Sequence, residues 1–210
     1  MTKIGVFDSG VGGLSALRAA KRLLPHRDFL YFADTAHLPY GARSPDAILR
    51  HTRAALDYLL SEGAEAVLVA CGTASAVALP HLWNCYPIPI FGILAPTADA
   101  AIRATSKKRI AIAATRRTVE SGAFSQALSA RDPSVASLGI PCPLFVALAE
   151  NGILDKNDPL LHLAICRHLA PLRSFGADVL ILGCTHFPSL IKTTSKIASR
   201  YGVKSVIDSA

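Results

Sequence analysis

Two cysteines in this 210-residue chain end apolar runs, and each leads into residues able to do chemistry. "EAVLVACGTASA" rises through strand-forming residues to Cys71 and passes into Gly72 and Thr73, and "GADVLILGCTHFPSL" repeats the figure at Cys184, ahead of Thr185 and His186. Gly63 stands eight residues before Cys71, as Gly176 stands eight before Cys184. One cysteine ending a buried strand is ordinarily small hydrophobic packing. Two at matched positions, 113 residues apart, point instead to two similar halves that each deliver a thiol. A free thiol has a pKa of about 8.5, so modest lowering by its neighbours supplies thiolate near neutral pH.

The elements that must carry these thiols alternate along the chain. Residues 4–7 read as a strand, after which Leu14, Leu17, Ala20 and Leu24 keep helical spacing until Pro25. Residues 29–33 form the next strand. Ser44 and Pro45 open a helix with Ile48, Ala55, Leu56 and Leu59 inward, and Gly63 closes it before a strand over 66–70. "PIPIFG" gives another short strand. The second half restarts with a strand over 109–113, a helix from about 119, an ambiguous stretch around "CPLFVALAENG", a helix over about 159–174, a strand over 179–182 and a helix after Pro188. Repeated βα units imply mainly parallel sheets covered by helices on both faces. The expected fold is therefore α/β, with two similar domains related by pseudo-two-fold symmetry and the site between them. The expected divisions are residues 1–96 with 208–210, and residues 97–207. Open α/β sheets bind ligands at the carboxyl ends of their strands. Asp8, Asp34, Cys71, Thr115 and Cys184 each follow a strand directly, so all five converge on such edges.

Composition narrows the function classes. With 51% hydrophobic and 18% charged residues the chain has the makeup of a compact globular protein. Its apolar runs are interrupted well short of the ~18 residues a membrane span needs, and the N-terminus lacks a signal peptide's apolar core, so a cytoplasmic location is expected. The net charge is +7, yet the densest cationic cluster is "KKR" at 107–109, with no aromatic-rich basic stripe beside it. A nucleic-acid partner is not expected; the charge suits an acidic small molecule. Five cysteines without a CxxC pair make a poor disulfide framework and suit a reducing compartment. His81 with Cys85, and Cys166 with His168, are isolated pairs, so no metal site is expected. Cys85, Cys142 and Cys166 read as packing.

"FDSGVGGL" at 7–14 is a strand, a polar pair and a glycine-rich turn into a helix, where Gly10, Gly12 and Gly13 let backbone approach a ligand. It lacks the lysine of a phosphate-binding P-loop and the third glycine of a dinucleotide fingerprint. Together with "DTAHLPYG" at 34–41, "ACGTAS" at 70–75, "ATRRTVESGAF" at 114–124, "CPLFVALAENG" at 142–152 and "LGCTHFPSL" at 182–190, it resembles, in order, the glutamate racemases of the aspartate/glutamate racemase superfamily.

That resemblance implies cofactor-independent interconversion of L- and D-glutamate, supplying D-glutamate for peptidoglycan. Racemisation removes the α-hydrogen from one face of the amino acid and returns a proton to the other, so two acid/base groups must flank one carbon. By the resemblance, Cys71 and Cys184 are those groups, Asp8 assists the first and His186 the second, and Asp34 and Glu150 match acidic positions near the site. Substrate is expected at Asp8, Ser9, the turn of Pro39, Tyr40 and Gly41, Gly72, Thr73, Thr115, Thr118, Thr185 and His186. A pyridoxal phosphate enzyme would need a Schiff-base lysine at a strand end, and no lysine of this chain falls at one. The implied partner is glutamate, with no nucleic acid and no membrane, in a homodimer.

The chain departs from the family pattern twice. Gly72 stands where relatives usually carry an asparagine whose amide contacts substrate, a loss expected to cost about 1–3 kcal/mol. Relatives also continue past "DSA" at 208–210 into a helix on the first domain, so an apolar face is expected there. Two other readings stay open on sequence: a racemase of another acidic amino acid such as aspartate, and a degenerate racemase that binds an acidic amino acid without turning it over. A thiol redox protein would require Cys71 and Cys184 close enough to bond.

Overall fold

The chain is described here by a computed structural model covering residues 3–209. Eight strands form two four-stranded sheets, parallel throughout. In the first sheet β1 (Lys3–Asp8), β2 (Asp28–Ala33), β3 (Ala64–Val69) and β4 (Ile90–Gly92) take the order β2-β1-β3-β4. In the second, β5 (Arg109–Ala114), β6 (Ala136–Pro141), β7 (Val179–Leu182) and β8 (Ser205–Asp208) take the same order, β6-β5-β7-β8. The registers match as well: Phe7 of β1 pairs with Val69 of β3 as Ala113 of β5 pairs with Leu182 of β7. Cys71 and Cys184 each lie two residues beyond the equivalent strand.

The glycines eight residues before the two cysteines have the same local reason. Gly63 (φ +84°) and Gly176 (φ +70°) both turn the chain out of a helix through the left-handed region, which side chains other than glycine enter at a cost. The helix Pro45–Ser61 opens as expected, with the Ser44 hydroxyl accepting from the Ala47 N–H and proline in the first turn. Its Ile48, Ala55, Leu56 and Leu59 bury against Phe7, Val67 and Val69 of the first sheet. In the second half Ile110, Ile112, Val179 and Ile181 face one helical layer, and Ala111, Ala113, Leu180 and Leu182 face the other. Parallel strands buried on both faces explain why β5 and β7 read as unbroken apolar runs.

Several boundaries differ from the sequence reading. Strands β6 (ASLGIP) and β8 (SVID) were not anticipated, because edge strands are covered incompletely and carry neither a long apolar run nor clean alternation. Asp208 pairs with Leu182 and the Ser209 N–H donates to the Leu182 carbonyl (3.3 Å), so residues 208 and 209 hydrogen-bond to the second sheet. Residues 1, 2 and 210 of the expected first domain lie outside the described residues. The helix expected from about 119 is two short ones, Arg116–Glu120 and Ala123–Ser129, separated where Gly122 takes φ +68°. Pro171, which has no N–H to continue the ladder, divides Pro159–Leu169 from Leu172–Phe175. The ambiguous "CPLFVALAENG" is a helix, Pro143–Glu150, ended by Gly152 at φ +68°. Among the described residues no helix is long and apolar enough to cross a membrane.

Candidate active site

The carboxyl ends of the two sheets border one cavity of about 360 Å³, and both thiols line it, Cys71 from the first half and Cys184 from the second. Each is almost fully buried otherwise, at 4% and 6% exposed.

Cys71 caps the helix Gly72–Val77. Its sulfur accepts from the Ala74 N–H (3.5 Å) and its S–H donates to the Ser9 hydroxyl (3.4 Å). Asp8 lies behind Ser9, fully buried, and accepts from the Gly10 N–H at Oδ2 (3.0 Å) and from the Thr185 hydroxyl at Oδ1 (3.2 Å). Burial pushes the Asp8 carboxyl up, and the N–H groups of Gly10 and Gly13, the nearby His186 and the Thr185 hydroxyl only partly offset that push. Cys184 has a different escort. Its sulfur sits 3.7 Å from His186 Nδ1, and His186 Nε2 lies 3.2 Å from Glu150 Oε1, giving a thiol–imidazole–carboxylate chain.

Neither thiol has the lowered pKa expected from sequence. Burial, reinforced by the Asp8 charge, raises Cys71 to about 11 despite the Ser9 hydroxyl and the Ala74 N–H. Burial raises Cys184 above the ordinary thiol range, against the pull of the His186 backbone N–H. Taking either sulfur out of water penalises its charged thiolate form, and that cost outweighs the hydrogen bonds each receives.

Hydroxyls cluster on the wall between the thiols. Thr73 Oγ1 and Thr115 Oγ1 are 2.9 Å apart, Thr115 Oγ1 and Thr118 Oγ1 2.9 Å, and Thr118 Oγ1 donates to Thr73 Oγ1 at 3.3 Å. Thr115 also caps Arg116–Glu120 by accepting from the Thr118 N–H (3.3 Å). Of the residues singled out in the sequence, Ser9, Pro39, Tyr40, Gly41, Gly72, Thr73, Thr115, Glu150, Thr185 and His186 line the cavity with the two cysteines. Asp8, Asp34 and Thr118 do not; each stands behind a lining residue. The Tyr40 hydroxyl donates to Asp34 Oδ2 (2.7 Å), which makes Asp34 the anchor of the Tyr40 lip.

Six lining residues were not singled out in the sequence: Leu38, Ala42, Arg116, Pro143, Val146 and Ala147. Pro143, Val146, Ala147 and Glu150 are spaced three, four and seven apart on one helix, so periodicity within "CPLFVALAENG" carried the signal once that stretch was taken as helical. Arg116 is exposed and had no signal beyond its place next to Thr115.

Among the described residues one group brings metal-ligating atoms together, Asp34, His37 and His51, within 4.8 Å of one another. The His37 and His51 rings stack face to face (centroids 3.8 Å, planes 19° apart). Asp34 is already engaged by Tyr40 and by His37 Nδ1 (2.7 Å). That arrangement is a hydrogen-bonded brace for the cavity lip.

A family model described as Asp/Glu/Hydantoin racemase matches residues 13–210. The chain belongs to this family. It is 41% identical over 187 residues to a glutamate racemase from Geobacter metallireducens, an alignment spanning 89% of this chain and 68% of that protein. Solved structures agree: glutamate racemase RacE1 from Bacillus anthracis superposes with a TM-score of 0.93 at 33% identity over 99% of this chain and 77% of that one. Glutamate racemase from Francisella tularensis, solved with D-glutamate, superposes with a TM-score of 0.91 at 29% identity over 99% and 76%. In this chain the glycine at 72 also has a steric meaning. A Cβ built on it would lie 2.3 Å from the Gly183 carbonyl oxygen, so no side chain fits at 72 without a shift.

Proposed function

We propose that this chain is a glutamate racemase that carries the α-proton across the substrate on two thiols, without a cofactor. The observation that carries the reading is the pair of thiols, one from each of two sheets of identical order, lining a single cavity. One thiol, as thiolate, removes the Cα proton and becomes neutral; the other, neutral at the start, returns its own proton to the opposite face and is left as thiolate. The roles exchange with the direction of reaction. Cys71 and Cys184 are the two bases, with Asp8 behind the first and the His186–Glu150 pair behind the second.

Burial raises both thiols, and the α-ammonium group of the amino acid is the cation that would favour thiolate between them. In this reading Asp8, which stands behind the Ser9 that accepts from Cys71, and His186, 3.7 Å from the Cys184 sulfur, receive the proton each thiol gives up. Hydroxyls of Ser9, Thr73, Thr115 and Thr185, with backbone N–H groups of the turn Pro39, Tyr40 and Gly41, hold the carboxylates. Fixed donors around the α-carboxylate stabilise the charge that spreads onto it as the proton leaves. Thr118 acts by holding Thr115, and Asp34 by holding Tyr40. The glutamate-bound Francisella tularensis relative supports glutamate as substrate. The same reading makes the protein a supplier of D-glutamate for peptidoglycan in a bacterial cytoplasm, and a homodimer. Its two sheets are the cores of two domains that divide near residue 96, and residues 208 and 209, expected with the first, pair with the second sheet.

The test is exchange in D₂O. With L-glutamate, wild-type protein is expected to lose the Cα–H signal and optical rotation together, and to leave L-aspartate unchanged. Cys71→Ser and Cys184→Ser are each expected to slow inversion at least a thousandfold, within the range that a positioned acid/base group contributes. Binding without exchange would overturn the reading, as would full activity in either variant.

A further inference from the structure

Three glycines of the first half occupy points where the second half leaves no room for a Cβ. At Gly12 an added Cβ would stand 2.7 Å from Thr185 Oγ1 and 3.0 Å from the Thr185 carbonyl carbon. At Gly41 it would stand 2.7 Å from Thr115 Cβ and 2.8 Å from Cγ2. At Gly72 it would stand 2.3 Å from the Gly183 carbonyl oxygen. None of the three has positive φ, so backbone conformation does not require glycine at them; close approach does. The contacts differ in how far they can yield. At Gly12 the nearest atom is the Thr185 hydroxyl with backbone behind it, and at Gly41 it is the side chain of Thr115, which is β-branched and held by Thr73 and Thr118. The contact at Gly72 is with backbone, on the residue directly before Cys184, while Gly72 directly follows Cys71.

Polar contacts across the halves run beside the same three points. Thr185 donates to Asp8 (3.2 Å), Thr73 meets Thr115 (2.9 Å), and Arg117 Nε donates to the Arg43 carbonyl (2.8 Å). They can form together only while the backbones touch.

We propose that Gly12, Gly41 and Gly72 form a seam that keys the two halves together, and that Gly72 is the positioning residue that fixes the separation of the two thiols. This rests on the two-thiol racemase reading for its kinetic consequence but not for its geometry. A Cβ at 72 must move from 2.3 Å to the ordinary van der Waals range that begins at 3.4 Å, a wedge of about 1 Å between the loops that carry Cys71 and Cys184. A displacement of about 1 Å in a reacting group can cost about a hundredfold in rate.

The experiment uses Gly72→Ala in the full chain, in a Cys85→Ser/Cys166→Ser background so that the exposed and half-buried thiols outside the cavity do not react. Two readouts separate positioning from general damage. The first is the ratio of Cα–H exchange to inversion in D₂O: a wedge leaves one thiol able to remove and return a proton on its own face, so inversion falls about a hundredfold while exchange falls much less. Loss of folded protein would lower both in proportion. The second is the shortest bifunctional thiol linker that bridges Cys71 and Cys184 in the absence of substrate, which is expected to lengthen in Gly72→Ala. Gly72→Ser is the second variant should Gly72→Ala fail to fold, and the same two shifts are expected of it. An unchanged linker threshold overturns the proposal, and so does a lengthened threshold with an unchanged exchange-to-inversion ratio in an active enzyme. If the parent protein catalyses no racemisation while the threshold still lengthens, the racemase reading fails and the seam stands on its geometry.

Discussion

The two halves deliver the same atom with different chemistry around it. Register pairs Phe7 with Val69 and Ala113 with Leu182, so Asp8 corresponds to Ala114, Ser9 to Thr115, Cys71 to Cys184, Gly72 to Thr185 and Thr73 to His186. The hydroxyl pair Ser9 and Thr115 and the thiol pair survive the repeat. The ionisable escorts do not: the carboxylate of Asp8 faces an alanine's place in the second half, and the imidazole of His186 faces a threonine's place in the first. A pseudo-symmetric scaffold therefore suffices to bring two thiols to one cavity, but it leaves each with different ionisable neighbours. The buried carboxylates diverge as well. Asp178, just before β7, is almost fully buried, whereas Glu65, its equivalent by the cysteine spacing and the second residue of β3, is exposed.

The sharpest way to break this comparison is to remove one escort. His186→Asn is expected to lower kcat/KM about a hundredfold, equally in both directions because the enantiomers are equally stable. The primary deuterium isotope effect, in contrast, should rise only for the enantiomer whose Cα–H faces Cys184. An equal rise for both enantiomers would mean that His186 serves the whole site rather than one thiol.

A smaller effect is expected from pH. With Cys71 raised to about 11, only about one molecule in a thousand carries its thiolate at pH 8, so alkylation of Cys71 in the empty enzyme should climb about tenfold per pH unit and bend near 11. Cys184, raised further by burial, should still be climbing where Cys71 bends. A plateau near pH 8 to 9 for either thiol, followed by mass spectrometry of the labelled peptides, would contradict the burial argument.

The smallest expected effect concerns stability. Burial pushes Asp178 up, but the Thr105 hydroxyl (2.7 Å), the N–H groups of Lys107 (2.8 Å) and Ser106 (2.6 Å) and the Ser106 hydroxyl (3.1 Å) outweigh it and hold the carboxyl at about 2. A carboxylate depressed on folding adds stability above its unfolded pKa of about 3.9, and loses it as pH falls toward 2. Asp178→Asn should therefore cost about 2–3 kcal/mol at pH 7 by denaturant unfolding, with the difference shrinking to near zero around pH 2. Glu65→Gln, its exposed counterpart, should cost almost nothing at either pH.

Much of the site was legible because the residues that line it sit within short ordered motifs at strand ends, where an α/β sheet must present them. Cys71 and Cys184 could be paired from their glycine spacing alone, and Gly63 and Gly176 turned out to share one backbone reason. Val146 and Ala147 were lost because their helix was not recognised, and with it the face that also carries Glu150. Gly72 could be seen to be unusual but not why. Treated as a missing amide, it suggested a weakened contact; set against the Gly183 carbonyl, it is a place where the halves touch.

Periodicity, turn residues and spacing are local, and they sufficed to determine two repeated βα halves and the strand that leads to each thiol, while the family came from the resemblance of six ordered motifs. Whether a carboxyl reaches a hydroxyl 177 positions away, as Asp8 does at Thr185, or a thiol is buried enough to hold its proton, depends on distances between segments that no local pattern encodes. Those were decided only when the halves closed on one another, because desolvation and close contact are properties of the space between elements.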